Sequence, residues 1–568
     1  MQLIRNLSQR QVSLALAIYI GLILNSAVLL RNGMAGDWLN AVSALLSAAG
    51  LIALCYFLLG IFSLTGNTLY KIFASVVLLA SAAASYYMTF FNVVIGYGVI
   101  VSTLTLDMDL HTEALGYKFI IWLALTGALP TALLWYARSL NSVYERRWSG
   151  WLTVGKSALP IFLSLLVLTI SIKTVTKINK AQAQRNNLYT ASVGGVIAHS
   201  YLPTNWLAGL ALYSYQQIHE EQTAQQLFDP TKHFTYQASP AMDDLYVVFV
   251  IGETTRWDHM GLFGYDRATT PLLAQEKNLI ALRGTSCDTA TKLSLRCMFV
   301  RENGTEDNNQ RTLKERNVFA VLRKLGFTSE LFGMQSEAWF YSSIDANSYE
   351  VRELIASAYS HTQRPIDDML LVDELEKSLH QYPQGKHLVV LHTKGSHHLY
   401  SQRYPREFAR FTPECDDIDN ACSKQELINA FDNSILYIDY MLKNVFDKLR
   451  NKNALVFYVP DHGESIDEGE HFHATPKEMA PPEQFRVPFI VWASDKFINN
   501  PHNAQAYQQL TKREAMDFNP HHQQLFDSLL GCMGFVSPDG GINQNNNWCS
   551  ENPRSMALDQ HAPRLTQR

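Results

Sequence analysis

Apolar residues gather in five long runs before residue 175 and in short runs after residue 240. The long runs cover about residues 14–30, 42–64, 72–94, 119–136 and 157–172. Each approaches the roughly 20 residues that a helix needs to cross a bilayer. They predict a bundle of five membrane-spanning helices. The third run continues through Phe90-Phe91-Asn92-Val93-Val94, which blurs its end. The first is too long for a cleaved signal peptide, and few small residues follow it. It reads as a retained span.

The short runs tell a different story. They are β-branched, end in polar residues, and lie at 245–251, 387–391, 454–459 and 487–492. Helix-like segments at 312–325, 367–379 and 425–449 separate them. Strands alternating with helices predict a mostly parallel sheet with helices on both faces. The chain thus divides into a membrane domain (1–175), a connector (176–240) and an α/β domain (241–568). Lys173, Lys177 and Lys180 follow the last long run, and the connector continues rich in Gln and Asn. Its Trp206 and Tyr213 suit a membrane surface. A linker helix packed on the α/β domain fits equally.

Loop charge orients the bundle. Arg5 and Arg10 precede the first run, Lys71 follows the second, and Arg138, Arg146, Arg147 and Lys156 separate the last two. The remaining loops carry Asp37, Asp107, Asp109 and Glu113 against Arg31 and Lys118. Basic loops stay in the cytoplasm, so the N-terminus is inside. Five crossings then place the α/β domain outside, in a periplasm-like space. A net charge of −5 offers no basic field for nucleic acid. Cys55 lies within a span, and the other six of seven cysteines lie in the α/β domain. That even number fits an oxidised framework. Neighbours along the chain would pair as Cys287–Cys297, Cys415–Cys422 and Cys532–Cys549. Six metal-binding thiols would call for a C-x-x-C spacing that is absent.

Ligands of open α/β sheets bind beyond the carboxyl ends of strands. The first short run leads into Gly252-Glu253-Thr254-Thr255-Arg256. The second leads into His392-Thr393-Lys394-Gly395-Ser396-His397-His398. After the third come Asp461-His462-Gly463-Glu464-Ser465 and His471-Phe472-His473. A glutamate after a strand is usually a solvated cap, and an Asp-His pair is usually a turn. Their convergence at one sheet edge carries the argument. Carboxylate oxygen with imidazole nitrogen suits Zn²⁺ and neighbouring divalent ions. Glu253, Asp461 and His462 would supply three ligands. The fourth would be a hydroxyl from the loop between Cys287 and Cys297, which holds Thr289, Thr291 and Ser294. Such a hydroxyl is a poor nucleophile until a base or metal favours its alkoxide. His397 and His473 would bind phosphate oxygens, protonate a leaving alkoxide or hold a second ion.

These residues resemble the lipid A and lipopolysaccharide phosphoethanolamine transferases, bacterial inner-membrane enzymes with an alkaline-phosphatase/sulfatase-like outer domain. Gly252-Glu253-Thr254, Cys297-Met298-Phe299, Ser396-His397, Asp461-His462-Gly463-Glu464-Ser465 and the His473 segment occur in family order. The resemblance implies that Thr291 is the nucleophile, six residues before the second cysteine. It implies zinc at Glu253, Thr291, Asp461 and His462, with room for a second Zn²⁺ or a Ca²⁺. His397 and His473 become substrate-phosphate ligands, and Glu113 a contact of the ethanolamine group. The implied donor is phosphatidylethanolamine. Met260 to Tyr265, the Arg296-containing loop and Ser537 to Asn543 resemble the branch that modifies the outer Kdo residue of Kdo2-lipid A.

Departures from the family pattern are Lys292 and Arg296 inside the staple and Ala474, where many members have glycine. The implied rivals are transfer onto lipid A phosphates and a metal-dependent phosphodiesterase. A teichoic-acid-type polymerase would use glycerol phosphate as donor. A sulfatase would need a Cys/Ser-x-Pro-x-Arg context, which the Thr291 segment lacks. A membrane sensor or scaffold would not need the four predicted ligands to meet.

Overall fold

The computed structural model describes residues 7–34, 37–104, 116–137, 151–185, 199–223, 227–238, 244–301, 314–335, 337–362, 364–417, 422–466 and 468–555. Among these, four helices are long and apolar enough to cross a membrane: α3 (Trp38–Phe62), α4 (Asn67–Phe90), α6 (Tyr117–Tyr136) and the Ala158–Gln182 part of α7 (Trp151–Arg185). The first predicted run is not one straight helix, so the five-span count rests on a bent pair. Its halves, α1 (Gln9–Ile23) and α2 (Ser26–Met34), meet at 47°. Asn25 explains the break. It is fully buried, and its amide donates to Ile20 O at 2.9 Å and Leu202 O at 3.0 Å. Its carbonyl oxygen accepts from Leu202 N at 2.9 Å. Broken helices survive at membrane depth where such groups replace the lost ladder bonds.

The end of the third run is also settled. Helix α4 stops at Phe90, and after a non-helical stretch the chain resumes as a short helix, α5 (Tyr97–Leu104). The connector contributes α8 (Thr204–Thr223), which packs against α5. Trp206 Nε1 donates to Ser81 Oγ of α4 at 3.2 Å. The connector helix therefore rests on the membrane part. It also reaches the α/β domain, where Arg296 donates to Gln216 Oε1 at 3.3 Å.

Among the described residues, seven strands form one sheet in the order β2-β9-β6-β1-β5-β3-β4. These are β1 (Leu245–Gly252), β2 (Leu279–Thr285), β3 (Thr328–Gly333), β4 (Ser348–Val351), β5 (Lys386–His392), β6 (Ala454–Pro460) and β9 (Arg486–Ala493). The pairs β6–β1, β1–β5, β5–β3 and β3–β4 are parallel, whereas β6–β9 and β9–β2 are antiparallel. The sheet is thus mostly parallel, as expected, and is mixed because β9 alone runs against its neighbours. Among the described residues between β6 and β9 are loops, the small hairpin of β7 (Ser465–Ile466) and β8 (His471–Phe472), and a single 3-10 turn (Pro482–Phe485), with no α-helical crossover. An antiparallel neighbour needs no helical crossover.

Strand β1 is buried along its whole length, as a central strand covered on both faces must be. Leu245, Val247, Phe249 and Ile251 enter one core, and Tyr246, Val248 and Val250 enter the other. All three expected disulfides are present: Cys287–Cys297, Cys415–Cys422 and Cys532–Cys549. The first closes a loop with a sequence separation of 10. Replacing Cys287 and Cys297 together with alanine will destabilise the α/β domain by about 2–3 kcal/mol through restored unfolded-state entropy. Chemical denaturation under non-reducing conditions checks this as a lower midpoint.

Candidate active site

Register puts the acidic residues together. Gly252 at the end of β1 pairs with Pro460 at the end of β6, and Asp461 N donates to Gly252 O at 3.1 Å. Glu253 and Asp461-His462 therefore leave the sheet side by side. All three are completely buried. On the other side of β1, the chain after β5 turns across Glu253. Gly395, at φ +50°, makes this passage: a β-carbon there would lie 2.7 Å from Glu253 O and 2.9 Å from Glu253 N. Thr254, next to Glu253, takes φ +50°, an uncommon conformation for a β-branched residue. Strain of this kind persists where surroundings fix it, often at functional sites.

The stapled loop brings the hydroxyl. Thr291 begins the helix α9 (Thr291–Met298), so it sits where unsatisfied amides and the helix dipole favour an anion. Its Oγ1 lies 3.3 Å from Glu253 Oε2, 3.4 Å from Glu253 Oε1 and 3.3 Å from His462 Nε2. The two rival hydroxyls turn elsewhere. Thr289 Oγ1 donates to Thr475 O at 2.5 Å, and Ser294 Oγ to Asp288 O at 3.1 Å.

Four donor atoms now surround one point. His462 Nε2 lies 3.4 Å from Glu253 Oε1, 3.3 Å from Asp461 Oδ2 and 3.3 Å from Thr291 Oγ1. Ligands about 2.0 Å from a tetrahedral zinc ion stand about 3.3 Å apart, so this spacing fits the ion. The hydrogen bonds fit too. His462 Nδ1 donates to Gly463 O at 2.8 Å, which leaves the Nε2 lone pair for a ligand. Asp461 Oδ1 accepts from His462 N at 2.8 Å, while Oδ2 is buried with no hydrogen-bond partner. Gln335 Nε2 donates to Glu253 Oε2 at 2.7 Å and holds that carboxylate. Burial and the neighbouring Asp461 carboxylate push Glu253 well above the usual carboxylate range. Burial raises Asp461 as well. Two carboxylates this close and this dry need a cation between them or a shared proton.

His473 also belongs to the cluster: Glu253, His462 and His473 place donor atoms within 4.8 Å of one another. It is a poorer ligand than Asp461. Its Nδ1 contacts Glu464 Oε2 at 3.3 Å. Burial opposes charge on its ring, but the Glu464 carboxylate outweighs this and raises His473 above the usual imidazole range. A protonated imidazole cannot bind a metal. His397 behaves oppositely. Burial, then the nearby His473, holds it well below that range. Its Nδ1 donates to His398 O at 2.7 Å, and its ring lies 5.4 Å from that of His473. The surroundings thus push two neighbouring histidines in opposite directions.

Some residues fall outside the sequence reading or away from it. Gln335 and Glu464 orient the site, yet neither had an assigned role; Glu464 lay inside the quoted Asp461-to-Ser465 motif. Glu113 lies outside the described residues. Lys292 and Arg296 stand 5.6 and 5.2 Å from the Trp339 ring. Arg296 is fully buried, which fits a brace toward α8 and not an acceptor-facing cation. Ala474 has φ +65°, the left-handed conformation for which glycine is the easier residue.

Comparison with known proteins places this geometry. Residues 246–535 match the Sulfatase family. Residues 51–217 match the family described as Phosphoethanolamine transferase EptA/EptB. The Kdo(2)-lipid A phosphoethanolamine 7''-transferase of Escherichia coli (strain K12) is 51% identical over 97% of this chain and 98% of its own length. Its namesake from Salmonella typhimurium is 49% identical with the same coverage. The integral membrane lipooligosaccharide phosphoethanolamine transferase A of Neisseria meningitidis shares the fold, with a TM-score of 0.78 at 23% identity over 95% of this chain and 99% of that one. A membrane part and a sulfatase-like domain follow one another in a single chain of matching length, so this protein belongs to the phosphoethanolamine transferases.

Proposed function

We propose that this protein moves phosphoethanolamine from phosphatidylethanolamine to the outer Kdo residue of Kdo2-lipid A, through a covalent adduct on Thr291. The carrying observation is the approach of Thr291 Oγ1, Glu253 Oε1 and Asp461 Oδ2 to within 3.4 Å of His462 Nε2. Those four residues would hold a divalent ion, with zinc the best match to the donor set. When bound, such an ion supplies a lowered hydroxyl pKa and neutralises charge on the phosphoryl group.

The residues divide the rest of the work. Thr291 donates its hydroxyl hydrogen toward Glu253, which gives the proton a path as its oxygen attacks the donor phosphorus. The bond from phosphorus to the diacylglycerol oxygen breaks. His473, kept protonated by Glu464, gives that oxygen its proton and diacylglycerol leaves. In the second half the neutral His473 takes the proton of the Kdo hydroxyl as its oxygen attacks phosphorus. Thr291 leaves and recovers its proton. His397, whose Nδ1 donates to His398 O, leaves Nε2 to accept a hydrogen bond from a neighbouring hydroxyl of the acceptor sugar and so orient it. Opposed histidine environments of this kind mark separate proton roles. Glu113 is proposed to meet the ethanolamine ammonium.

Location follows from the substrates. Donor and acceptor are both lipids, so a domain tethered to the membrane meets them at raised effective concentration. The loop-charge bias supports an inner-membrane topology with the N-terminus inside and the α/β domain in the periplasm. The identities of 51% and 49% to two Kdo(2)-lipid A enzymes support that acceptor over lipid A phosphate.

Thr291→Ala will reduce transfer to background and remove the phosphoethanolamine adduct from the intact protein's mass spectrum. Wild-type transfer in that variant would refute the nucleophile. Fragmentation mass spectrometry of lipopolysaccharide from cells with and without the protein will place the added group on Kdo; addition to lipid A phosphates would refute the acceptor. Glu464→Gln removes the charge that raises His473. The alkaline limb of the rate profile reports loss of the His473 proton, so it will move to lower pH.

A further inference from the structure

The active site is not built by the α/β domain alone. Helix α5, on the membrane side, meets Ala290, the residue before Thr291, and Ala474, the residue after His473. Tyr97, Val101, Ala290, Leu293 and Ala474 form one buried cluster. Gly98 lies at its centre. A β-carbon on Gly98 would stand 3.1 Å from Ala290 Cβ and 3.1 Å from Ala474 Cβ. One turn of backbone thus touches the loop of the proposed nucleophile and the loop of the proposed acid.

Those two loops are also tied to each other. Ala474 N donates to Thr289 O at 2.7 Å, and Thr289 Oγ1 donates to Thr475 O. A second contact comes from the end of α4. His471 N donates to Phe91 O at 2.9 Å, and Asn92 Nδ2 to Gly469 O at 2.9 Å. The Phe91 ring lies 5.3 Å from that of Phe472. Residues 91–98 therefore grip the chain on both sides of His473, at Gly469 to Phe472 before it and at Ala474 after it.

We propose that Gly98 is a positioning residue: its missing side chain lets α5 seat against Ala290 and Ala474 and so sets the separation of Thr291 and His473. A methyl group at Gly98 meets two β-carbons at a distance tighter than normal contact. Neither alanine can turn away, because each is backbone-linked to a site residue. The loops must shift by a few tenths of an ångström or more. Reactions that rely on placement lose roughly 10²-fold for about 1 Å of error.

This inference rests on the roles given to Thr291 and His473, which Thr291→Ala tests separately. The experiment uses the full-length protein in lipid nanodiscs and measures kcat and KM for phosphoethanolamine transfer, with thermal unfolding alongside. Gly98→Ala will lower kcat several-fold and Gly98→Val on the order of 10²-fold, with KM for the lipid donor within twofold. The double variant Gly98→Ala/Ala474→Gly removes one of the two crowded methyls. It will regain most of the kcat lost by Gly98→Ala, measured against Ala474→Gly as its reference. Either of two results overturns the proposal: Gly98→Val within threefold of wild type, or a loss that tracks unfolding and is not relieved by Ala474→Gly. Should Thr291→Ala keep its activity, the catalytic reading falls first; should it lose activity while Gly98→Val does not, only this inference falls.

Discussion

Two carboxylates forced together out of water are the constraint on which the α/β domain turns. Parallel pairing of β1 with β6 brings Glu253 and Asp461 out at one level. Both are shut off from solvent, and His462 joins them. Such a group is unstable by itself, because each negative charge raises the energy of the other. The surroundings are arranged around that difficulty. Gln335 donates to one carboxylate, backbone amides donate to the other, and His462 presents a lone pair instead of a proton. What remains is a vertex of donors that fits a small, doubly charged ion. The hydroxyl of Thr291 completes it only because the cystine and α9 hold it there.

The membrane part enters this arrangement through geometry and not through charge. Residues 91–98 contact the hairpin of His473, and α8 meets Arg296 at the far end of α9. The anchoring helices thus hold the catalytic loops from two directions.

Sequence pattern made much of this legible, and the failures have physical reasons. Long apolar runs identify spans because lipid demands length and apolarity together. Pattern could not show that the first is broken, since one asparagine among apolar residues leaves hydropathy almost unchanged. Strands β1, β5, β6 and β9 stand out as apolar runs, whereas β3 and β4 carry Ser and Glu and lie nearer the sheet edge. The reversed direction of β9 could not be read, because apolar runs carry no polarity. Glu253, Asp461, His462, His397 and His473 could be found because each follows a strand end. Thr291 could not be told from Thr289 and Ser294 by pattern; family register named it, and distance separates it from them. Pattern gives Arg296 no role, because its partners Trp339 and Gln216 are distant in the chain.

Asn25 has a consequence for how the protein is made. Its side chain is satisfied by Leu202, 177 positions later. Until the connector has left the ribosome, Asn25 keeps its local bond to Ile20 O but lacks both bonds to Leu202. The first span therefore reaches its final form after the later spans are already in the membrane. The N-terminal segment is the first to be synthesised and among the last to settle, and a chain cut short before residue 202 would carry an unsealed break in its first span.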